Sequence, residues 1–525
     1  MRPEETCFCS RTQLTNGKEP GPLEYLPDSR VAESDLMHEF HSLFNPRSVA
    51  VVGASVTFAK WGQLILSNIL AGGFRGKVFP INPKEKEMYG LPAFHSIEDV
   101  PGQIDLAFVT TPAETVQSVL EACGRKGVKG VVVITSGFSE TDQAGKELET
   151  KIVTLCRERG LLLIGPNTMG IICPHADLFA TGTHARPRKG SVAFISQSGN
   201  LGNQLIHWAE QQGIGVSLFV GSGNDAMLSC TDYLDYLEGD IKTDVILLYL
   251  ESVGDGRRFL SLARRINRRK PVILLKGGRT EAGRSAAASH TGSMSGEVAV
   301  FRAACRQAGL LEARVPSELL DLSAAFSSLP LPRGNRVGIV TLGGGWGVVT
   351  ADECNEKGLT VPPIPAQVVS TIGEYLPPFW SKGNPVDLVG TRNLDVPVVA
   401  VEQLLRCEHI DAVISLGIVG RHELVRLLVQ STQEVGAAES DRLNEIEAAS
   451  RGYEEDYIKK MVELMETYEK PVIGVSMART DKGTVRAVPG KRYSGVFYQT
   501  PESAVNVLAR MVAYRRHILH LRSSL

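Results

Sequence analysis

The stretch Ser48-Val49-Ala50-Val51-Val52-Gly53-Ala54-Ser55 begins the first regular unit of this 525-residue chain. A short run suited to a buried strand is followed by a glycine turn, and an apolar helical pattern begins soon afterwards. A strand that is apolar on both faces is typical of a parallel sheet covered by helices on both sides. The stretch therefore predicts the start of an α/β unit.

The same alternation of strand, turn and helix recurs in three series along the chain. The first series of buried-strand candidates is 48–52, 77–81, 106–110, 130–135 and 161–164. The second is 191–196, 216–220, 245–249 and 272–275, and the third is 336–341, 412–416 and 472–476. The sequence thus predicts an α/β protein with three units in tandem, each of ordinary domain size.

The boundaries of these units follow from breaks in the pattern. We expect a flexible leader at residues 1–42, units at 43–185, 186–328 and 336–525, and a linker at 329–335, where prolines interrupt the periodicity. The charged segment 433–470 predicts a long solvated helix or helix pair without chemistry.

Composition and charge limit the class of protein. The chain has 56 Lys and Arg against 58 Asp and Glu, which gives no basic field for nucleic acid. Its nine Cys lack metal-ligand spacing and are typical of reduced thiols. No apolar run approaches the roughly 20 residues of a membrane span, and residues 1–40 lack a signal-peptide core. We therefore expect a cytoplasmic protein with no metal site, no membrane anchor and no nucleic-acid partner.

The first candidate binding site is the turn formed by Gly53, Ala54 and Ser55. At the end of a strand and before a helix, backbone N–H groups and the helix dipole favour an anion. The turn is not G-x-G-x-x-G, and the second strand is followed by Asn82-Pro83-Lys84 rather than by an acidic residue for a ribose hydroxyl. Because Lys84 suits an additional phosphate, CoA or a 2′-phosphorylated dinucleotide is favoured over NAD.

Similar turns begin the other two units. The second unit has Ser196-Gln197-Ser198-Gly199 after its first strand, and the third has Gly343-Gly344-Gly345. Small and hydroxyl-bearing residues let backbone N–H groups approach a ligand closely. Each could be a tight turn of an ordinary α/β domain, but the recurrence at the head of every unit favours phosphate binding.

Two side chains are candidates for chemistry. His290 lies in Ser289-His290-Thr291-Gly292, after a predicted loop at 277–288, and an imidazole among small residues can act as a nucleophile near neutral pH. Glu251 follows the strand-like run 246–250, so we expect it at the carboxyl edge of the sheet, where α/β folds bind ligands. A carboxylate there could orient an imidazole. The alternative is a surface glutamate paired with a cation such as Arg257.

In combination these motifs resemble the α subunits of ADP-forming acyl-CoA synthetases, relatives of succinyl-CoA synthetase. The similarity extends from about residue 44 to about residue 520 and includes, in order, 51–55, 81–84, 165–167, 196–199, 289–292, 343–347 and 383–388. Each motif alone is weak, but their order across three α/β units is specific. The resemblance implies an N-terminal CoA-binding Rossmann-like domain followed by two flavodoxin-like doubly wound domains.

The resemblance also implies a reaction and the residues that carry it. Acyl-CoA, ADP and phosphate would be interconverted with carboxylic acid, ATP and CoA through an acyl phosphate and a phosphohistidine. His290 would be the phosphorylated residue and Glu251 its stabilising carboxylate. The residues that would bind CoA are Gly53, Ala54, Ser55, Lys60, Asn82, Lys84 and Asn167. Those that would bind phosphate are Ser198, Gly199, Gly344 and Gly345.

Three units account for the chain and leave no segment for an ATP-grasp domain. We therefore expect ATP or ADP and Mg²⁺ on a separate ATP-grasp β subunit, in a hetero-oligomer. Two departures from the family pattern bear on acyl specificity: Thr168 stands where Cys is common, and Gly283-Arg284-Ser285 precedes His290. The alternative functions are a non-catalytic CoA-binding or assembly protein and a dehydrogenase, the latter disfavoured by the missing glycine fingerprint.

Overall fold

Three sheets of five, seven and six strands follow one another along the chain in the computed structural model, which describes residues 35–291, 298–390, 393–436, 440–476 and 483–523. Helices cover the sheets, and most neighbouring strands are parallel. The predicted α/β class is confirmed. Of the predicted leader at 1–42, residues 1–34 lie outside the described ranges, whereas residues 35–42 belong to the first helix, where buried Phe40 packs on Tyr233 and Tyr236.

The first unit carries five parallel strands in its main sheet and a small antiparallel ribbon beside it. Its strands are β1 (Ser48–Val52), β2 (Lys77–Ile81), β3 (Glu87–Met88), β4 (Leu91–Pro92), β5 (Leu106–Val109), β6 (Gly130–Val133) and β7 (Leu162–Ile164). Its helices are α1 (Asp35–Phe44), α2 (Trp61–Ala71), α3 (Ala113–Lys126) and α4 (Gln143–Arg159).

The second unit contains the seven-stranded sheet. Its strands are β8 (Gly170–Cys173), β9 (Leu178–Thr181), β10 (Lys189–Ser196), β11 (Val216–Gly221), β12 (Val245–Leu250), β13 (Val272–Lys276) and β14 (Leu311–Ala313). Its helices are α5 (Gly199–Gln211), α6 (Cys230–Gly239), α7 (Gly256–Ile266), α8 (Glu281–Thr291), α9 (Val298–Gln307) and α10 (Pro316–Ser328).

The third unit contains the six-stranded sheet. Its strands are β15 (Val337–Thr341), β16 (Val386–Asp387), β17 (Ala412–Leu416), β18 (Val472–Val475), β19 (Val485–Ala487) and β20 (Ser494–Tyr498). Its helices are α11 (Gly344–Glu356), α12 (Ala366–Gly373), α13 (Val396–Arg406), α14 (Arg421–Glu434), α15 (Ser440–Tyr468) and α16 (Pro501–Ser523).

The strand order is the same in all three units. Counted along the chain within each unit, the parallel strands lie in the order 2-1-3-4-5: β2-β1-β5-β6-β7, β11-β10-β12-β13-β14 and β16-β15-β17-β18-β20. This is the flavodoxin-like order, in which the chain reverses its direction of travel beside the first strand. Ligands of such folds bind outside the carboxyl ends of the strands at that reversal point.

An antiparallel hairpin joins the first two units. Strands β8 and β9 fall within residues 43–185, the range expected for the first unit, yet β8 pairs with β11 of the second sheet through Ile172 and Phe219. The hairpin also packs against α2 of the first unit. Since its strands are short and Ile172 pairs with Phe219, which lies 47 positions later, periodicity alone does not reveal its place.

The segment expected as a linker, 329–335, is part of a packed interface. Leu329 is buried, and helix α10, which leads into the segment, contacts β13 of the second sheet as well as β20 and α16 of the third unit. Tyr498 donates a hydrogen bond to the backbone oxygen of Asp321 at 2.6 Å. Tyr514 of α16 donates one to Asn267 at 2.8 Å, so the last helix reaches back to the second unit.

The charged segment 433–470 contributes more than a solvated surface. It forms the end of α14 and the whole of α15, and one face of α15 buries Tyr457, Met461 and Met465. These residues recur every four positions, which places them on a single helical face. Glu454 on the same helix is buried and accepts hydrogen bonds from His422 at 2.7 Å and Arg486 at 2.9 Å.

The loop predicted at 277–288 is mostly helical. Helix α8 begins at Glu281 and includes the run 286–288, three alanines with the highest helix propensity of any residue. The hinge candidate Gly283 therefore lies inside a helix, while Gly292 lies outside the described residues. Within the described ranges, no helix combines the length and the apolar character needed to cross a bilayer.

Candidate active site

A cavity of about 670 Å³ lies between the first and second units. From the first unit it is lined by loops at the carboxyl ends of β5, β6 and β7, which contribute residues 110–112, 134–136 and Asn167. From the second unit it is lined by the start of α5 and by the loops after β11 and β12. The carboxyl edges of two sheets thus face one cavity, as expected for ligand sites of this fold class.

The N-terminus of α5 forms one wall of this cavity. Ser198 is the N-cap and accepts the backbone N–H of Leu201 at 3.4 Å, while Ser196 donates its hydroxyl to the backbone oxygen of Ser198 at 2.7 Å. Both Ser198 and Gly199 line the cavity. The first N–H groups of a helix lack partners within the helix and carry a partial positive charge, so this wall can receive an anion.

Glu251 lies at the end of β12, as its position in the sequence predicts. Its residue surface is only 8% exposed, and Oε1 accepts a hydrogen bond from the hydroxyl of Tyr249 at 3.2 Å. Oε2 is buried and has no hydrogen-bond partner among the described residues. Within the described ranges Glu251 makes no ion pair with Arg257, so the alternative of a surface pair is not what the geometry shows.

A lysine supports the backbone beneath Glu251. Lys276, at the end of the neighbouring strand β13, is buried and donates to the backbone oxygens of Glu251 and Gly277, both at 2.6 Å. Burial lowers the pKa of Lys276, and the nearby carboxylate of Glu251 opposes that shift. Lys276 therefore places a partly desolvated cation beside the buried carboxyl group.

Gln197 connects three parts of the cavity wall. Its Oε1 accepts the backbone N–H groups of Glu251 at 2.6 Å and Ser252 at 3.1 Å. Its Nε2 donates to Oδ2 of Asp225 at 2.7 Å and to the backbone oxygen of Ser252 at 3.1 Å. One side chain after β10 thus fixes the residues that follow β11 and β12.

Asp225 is a second carboxyl group with an unsatisfied atom. Its Oδ1 is buried and has no hydrogen-bond partner among the described residues, and its φ of +52° is unusual for a residue other than glycine. Burial raises the pKa of Asp225 to about 6, although the hydrogen bond from Gln197 opposes the shift; the nearby carboxylate of Asp232 raises it further.

Polar contacts across the cavity join the two units. The amide nitrogen of Asn224 lies 2.6 Å from Oε2 of Glu140 and 2.8 Å from Oε2 of Glu149, and its oxygen accepts from Asn167 at 3.2 Å. Burial would raise the pKa of Glu140, but hydrogen bonds from Asn224 and from the backbone of Gly137 outweigh it and hold that pKa below its usual value. Asn167 thereby takes part in fixing the units relative to one another.

The turn after β1 forms a separate, adjoining part of the site. Gly53 has φ +86°, and a Cβ built on it would lie 2.8 Å from Oγ1 of Thr110, so only glycine fits. Asn82 donates to the backbone oxygen of Ala54 at 2.9 Å and accepts the N–H of Lys84 at 2.8 Å. The structure therefore brings the predicted residues after β1 and β2 together at one sheet edge.

The other predicted residues of this edge have different places. Ser55 accepts the N–H of Thr57 at 3.0 Å, and Lys60 is the N-cap of α2 without a side-chain cap. Lys84 is exposed, with its side chain available to solvent. This edge can attract a phosphorylated ligand through the charges of the exposed side chains of Lys60 and Lys84.

The third turn is not among the described residues that line the cavity. Gly343 is the N-cap of α11, and the Thr341 hydroxyl donates to its backbone oxygen at 2.8 Å. A Cβ built on Gly344 would lie 3.0 Å from Oδ2 of Asp387 at the end of β16. Gly344 and Gly345 lie at a helix N-terminus on the third unit, and neither is among the described residues that line the cavity.

His290 belongs to the last turn of α8, which follows β13. Its side chain lies outside the described atoms, as do residues 292–297. The described structure therefore gives only the backbone path that leads from β13, the strand beside Glu251, to His290. Among the described residues, no group of three or more His, Cys, Asp and Glu is arranged to hold a metal ion.

Three residues of the site carried no assigned role from the sequence. Gln197 lay inside a recognised motif, while Asn224 and Asp225 follow β11, a strand that was predicted. Their position at a strand's carboxyl end was the available signal, because polar residues at that edge often contact ligands.

Three family models match the chain, one on each unit. A model described as a CoA binding domain matches residues 47–174. A succinyl-CoA ligase like flavodoxin domain matches residues 189–326, and a Ligase-CoA domain matches residues 337–437. The order of the matches agrees with the order of the three sheets.

Proteins similar over much of the chain carry related names. The acetate–CoA ligase [ADP-forming] II subunit alpha of Pyrococcus furiosus is 41% identical over 376 residues, which are 72% of this chain and 82% of that one. The acetate–CoA ligase [ADP-forming] of Methanocaldococcus jannaschii is 41% identical over 353 residues, and the match covers 67% of this chain but only 49% of that longer protein.

A solved structure agrees with this similarity over nearly the full length. The acetyl-coenzyme A synthetase 1 of Ca. Korarchaeum cryptofilum, described as dinucleotide forming and in complex with phosphate and ADP, superimposes with a TM-score of 0.78 at 34% identity. The superposition covers 93% of this chain and 99% of that one. From the order of its domains and from these similarities, the chain belongs to the family of α subunits of ADP-forming acetate–CoA ligases.

Proposed function

We propose that this chain is the α-type subunit of an NDP-forming acyl-CoA synthetase, which interconverts acyl-CoA, ADP and phosphate with a carboxylic acid, ATP and CoA. The observation that carries the proposal is the buried Oε2 of Glu251, which lacks a partner and lines the same cavity as the N-terminus of α5. A desolvated carboxylate can stabilise a cationic or N–H-bearing group, and the adjacent helix end can bind phosphate at the same time.

CoA binds at the sheet edge that contains the turn after β1. The turn approaches Thr110 closely at Gly53, the N–H groups of Gly53 and Ala54 bond to the backbone oxygen of Ile81 at 3.1 and 3.2 Å, and Asn82 donates to the oxygen of Ala54, so the shape of the turn is fixed. Lys60 and Lys84 supply charge for the phosphates of CoA. The thiol end then reaches the cavity along α2, whose first residue, Trp61, lines it.

The first chemical step takes place at the N-terminus of α5. A phosphate oxygen attacks the thioester carbonyl carbon, the carbon–sulfur bond breaks, and CoA leaves as the thiol after taking up a proton. The product is an acyl phosphate, whose negative charge is stabilised by the N–H groups beyond Ser198.

The second step transfers the phosphoryl group to His290. An imidazole nitrogen attacks phosphorus, the bond to the acyl oxygen breaks, and the carboxylate leaves. Glu251 accepts a hydrogen bond from the other imidazole nitrogen and so stabilises the positive charge that develops on the ring. Gln197 and Lys276 keep the backbone of Glu251 in place for this role.

The third step requires a nucleotide site that we assign to an ATP-grasp β subunit. An oxygen of the ADP β-phosphate attacks the phosphorus of phospho-His290, and the nitrogen–phosphorus bond breaks to give ATP. Mg²⁺ on the partner would balance the phosphate charges. The N-terminus of α11, with Gly344 and Gly345, is the second phosphate-binding position. It binds the phosphoryl group of phospho-His290 when that residue faces the partner subunit.

The test is reconstitution from purified components. The chain alone, a candidate ATP-grasp partner alone and the mixture are each supplied with acetyl-CoA, ADP, phosphate and Mg²⁺, and both ATP and free thiol are measured. We expect ATP formation only in the mixture. ATP made by the rigorously purified chain would show that the nucleotide site does not require a separate subunit. If CoA binds but no mixture makes ATP or forms phosphohistidine, the chain is a non-catalytic CoA-binding protein.

A further inference from the structure

The two carboxylate oxygens of Glu251 have different surroundings. Oε1 accepts a hydrogen bond from the hydroxyl of Tyr249 at 3.2 Å, whereas Oε2 is buried and has no hydrogen-bond partner among the described residues. Glu251 lines the cavity between the first two units, but Tyr249 is not among the described residues that line it. The tyrosine therefore contacts the carboxyl group from outside the cavity lining and leaves one oxygen open to a further donor.

Tyr249 is held in place as part of β12, the strand that Glu251 follows. Its ring packs against the hydrophobic core, and its backbone oxygen accepts the N–H of Gln197 at 3.2 Å. Burial raises the pKa of Tyr249, and the neighbouring charge of Glu251 raises it further. The phenol therefore keeps its proton at neutral pH and serves as a hydrogen-bond donor to the carboxylate.

The space for this hydroxyl depends on Gly277, the first residue after β13. A Cβ built on Gly277 would lie 2.8 Å from the hydroxyl oxygen of Tyr249, so that oxygen would have to move. The next nearest atoms are Cγ of Glu251 at 3.3 Å and Cζ of Tyr249 at 3.4 Å, which small shifts can accommodate. Gly278 has a positive φ of +67°, but Gly277 does not. Glycine at position 277 is therefore required for space and not for backbone conformation.

The backbone around Gly277 is fixed by three hydrogen bonds. Lys276 donates to the backbone oxygens of Glu251 and Gly277, both at 2.6 Å. The N–H of Gly277 donates to the backbone oxygen of Leu250 at 2.9 Å. These bonds join the ends of β12 and β13, so a side chain at position 277 would displace the hydroxyl of Tyr249 rather than the strand.

We propose that Tyr249 is a positioning residue for Glu251, and that Gly277 is required because it leaves room for the tyrosine hydroxyl. The terminal torsion of a glutamate is soft, so a hydrogen bond to one oxygen sets the orientation of the other. Tyr249 holds Oε1 and leaves Oε2 to accept the imidazole N–H of His290. The proposal rests on the function proposed above and adds two residues that support its carboxylate.

The first experiment uses the reconstituted two-subunit enzyme. Tyr249→Phe removes only the hydroxyl and keeps the packed ring. We expect phosphohistidine formation and kcat to fall about tenfold, with KM for acetyl-CoA unchanged, because Tyr249 is outside the described cavity lining. The matched control is Tyr514→Phe, which removes another buried phenol hydrogen bond, to the backbone oxygen of Asn267 at 2.8 Å. This control should lower Tm and leave kcat unchanged.

The second experiment tests the space left by Gly277. Gly277→Ala displaces the hydroxyl of Tyr249 from Oε1, so we expect it to slow phosphohistidine formation about tenfold as well. Tyr249→Phe has no hydroxyl to displace, and adding Gly277→Ala to it should slow the reaction by less than about twofold. Gly256→Ala adds a methyl group in open space at the first residue of α7 and should have no effect.

The same set of variants has a readout that needs no turnover. Thermal unfolding of the purified chain is measured for the wild type, the two single variants and the double variant. We expect Gly277→Ala to lower the Tm of the wild type more than that of Tyr249→Phe, because the atom closest to the added methyl group is the hydroxyl oxygen.

The outcomes separate this proposal from the proposed function. A normal kcat in folded Tyr249→Phe, or an equal loss in Tyr514→Phe, overturns the positioning role while the ligase function stands. Additive effects of Gly277→Ala and Tyr249→Phe on rate or on Tm overturn the role of Gly277. A wild-type mixture that forms no phosphohistidine rejects the ligase function and the part of Tyr249 in it, and the Tm values alone then decide whether Gly277 makes room for the hydroxyl.

Discussion

The side-chain oxygen of Gln197 accepts the backbone N–H of Glu251 at 2.6 Å. This contact links the residue that follows β10 to the residue that follows β12, across the point where the strand order of the second sheet reverses. The position of the buried carboxyl group is thus set by the same segment that leads into α5. The helix end that we propose for phosphate binding and the carboxyl group that we propose for charge stabilisation are therefore linked through one amide.

Gln197→Leu should impair phosphoryl transfer more than a change elsewhere on α5. It leaves the N–H groups of Glu251 and Ser252 without their acceptor, and each buried unsatisfied donor costs about 1–3 kcal/mol. We expect a lower Tm and at least about a tenfold slower formation of phosphohistidine from acyl-CoA and phosphate. Gln204→Leu, on the exposed side of α5, is the control. A variant that transfers phosphate at the normal rate would show that the hydrogen bonds of Gln197 to Glu251 and Ser252 have no part in the reaction.

His290→Asn should abolish phosphoryl transfer and leave CoA binding unchanged. Glu251→Gln should reduce transfer less completely, because an amide keeps a hydrogen-bonding oxygen but loses the charge. The measurement is incorporation of labelled phosphate, detected under alkaline conditions that preserve phosphohistidine. His207→Asn changes an exposed histidine of α5 and should have no effect. Label retained at normal levels in His290→Asn would identify another carrier.

Lys84→Gln should weaken CoA binding without weakening that of dephospho-CoA. A lysine contact to a phosphate is worth roughly tenfold in affinity, and the two ligands differ only in the 3′-phosphate. Calorimetric titration of the purified chain measures both, with Lys86→Gln as the neighbouring exposed control. An equal loss of affinity for the two ligands would show that Lys84 does not contact the 3′-phosphate. Tighter binding of NAD than of CoA would show that CoA is not the ligand of this edge.

Asp225→Asn should stabilise the protein at neutral pH. Burial raises the pKa of Asp225 to about 6 in the folded state, above its value in an unfolded chain. The stability it contributes is therefore fully present below about pH 4 and is lost as the pH rises through about 6. The facing groups are Asp232, which adds to the shift, Cys230, Tyr233 and, through Gln197, Glu251.

The gain from Asp225→Asn should accordingly grow with pH. We expect little difference in Tm between the variant and the wild type at pH 4, and a higher Tm for the variant at pH 7.5, corresponding to at most about 3 kcal/mol. Thermal unfolding across this range measures it. Asp142→Asn, at an exposed helix N-cap, should show no such trend. A variant less stable at pH 7.5 than the wild type would mean that the charged form of Asp225 is favoured.

Most strands of the three parallel sheets were predicted to within a few residues, but β14, β16 and β20 correspond to no predicted run. Runs such as 48–52 and 412–416 are buried along their whole length, so composition alone distinguishes them. The hairpin of β8 and β9 was not predictable in the same way, because four-residue strands carry little periodicity and their pairing partner is distant in sequence. Helix α8 was missed because Gly283 within it and the two glycines before it suggested a loop, whereas its alanines favour a helix.

The position of Glu251 at a sheet edge followed from the strand before it, but its burial did not. Burial depends on how the first unit packs against the second, through contacts such as Asn224 with Glu140. For the same reason Thr168 could not be interpreted from its place in a motif. Its hydroxyl bonds to the backbone of Gly221 and accepts the N–H of Gly170 at 3.0 Å, so it fixes the start of the hairpin.

The reach of α16 back to the second unit has a consequence for how the protein is made. This helix packs on α10 and α11, bonds to Asn267 through Tyr514, and follows every other described element in the chain. The surface it covers therefore stays open until translation has passed residue 501. Domains usually fold one after another as they emerge from the ribosome. In this protein the surface of the second unit that packs against α16 remains exposed to solvent until the last helix has been synthesised.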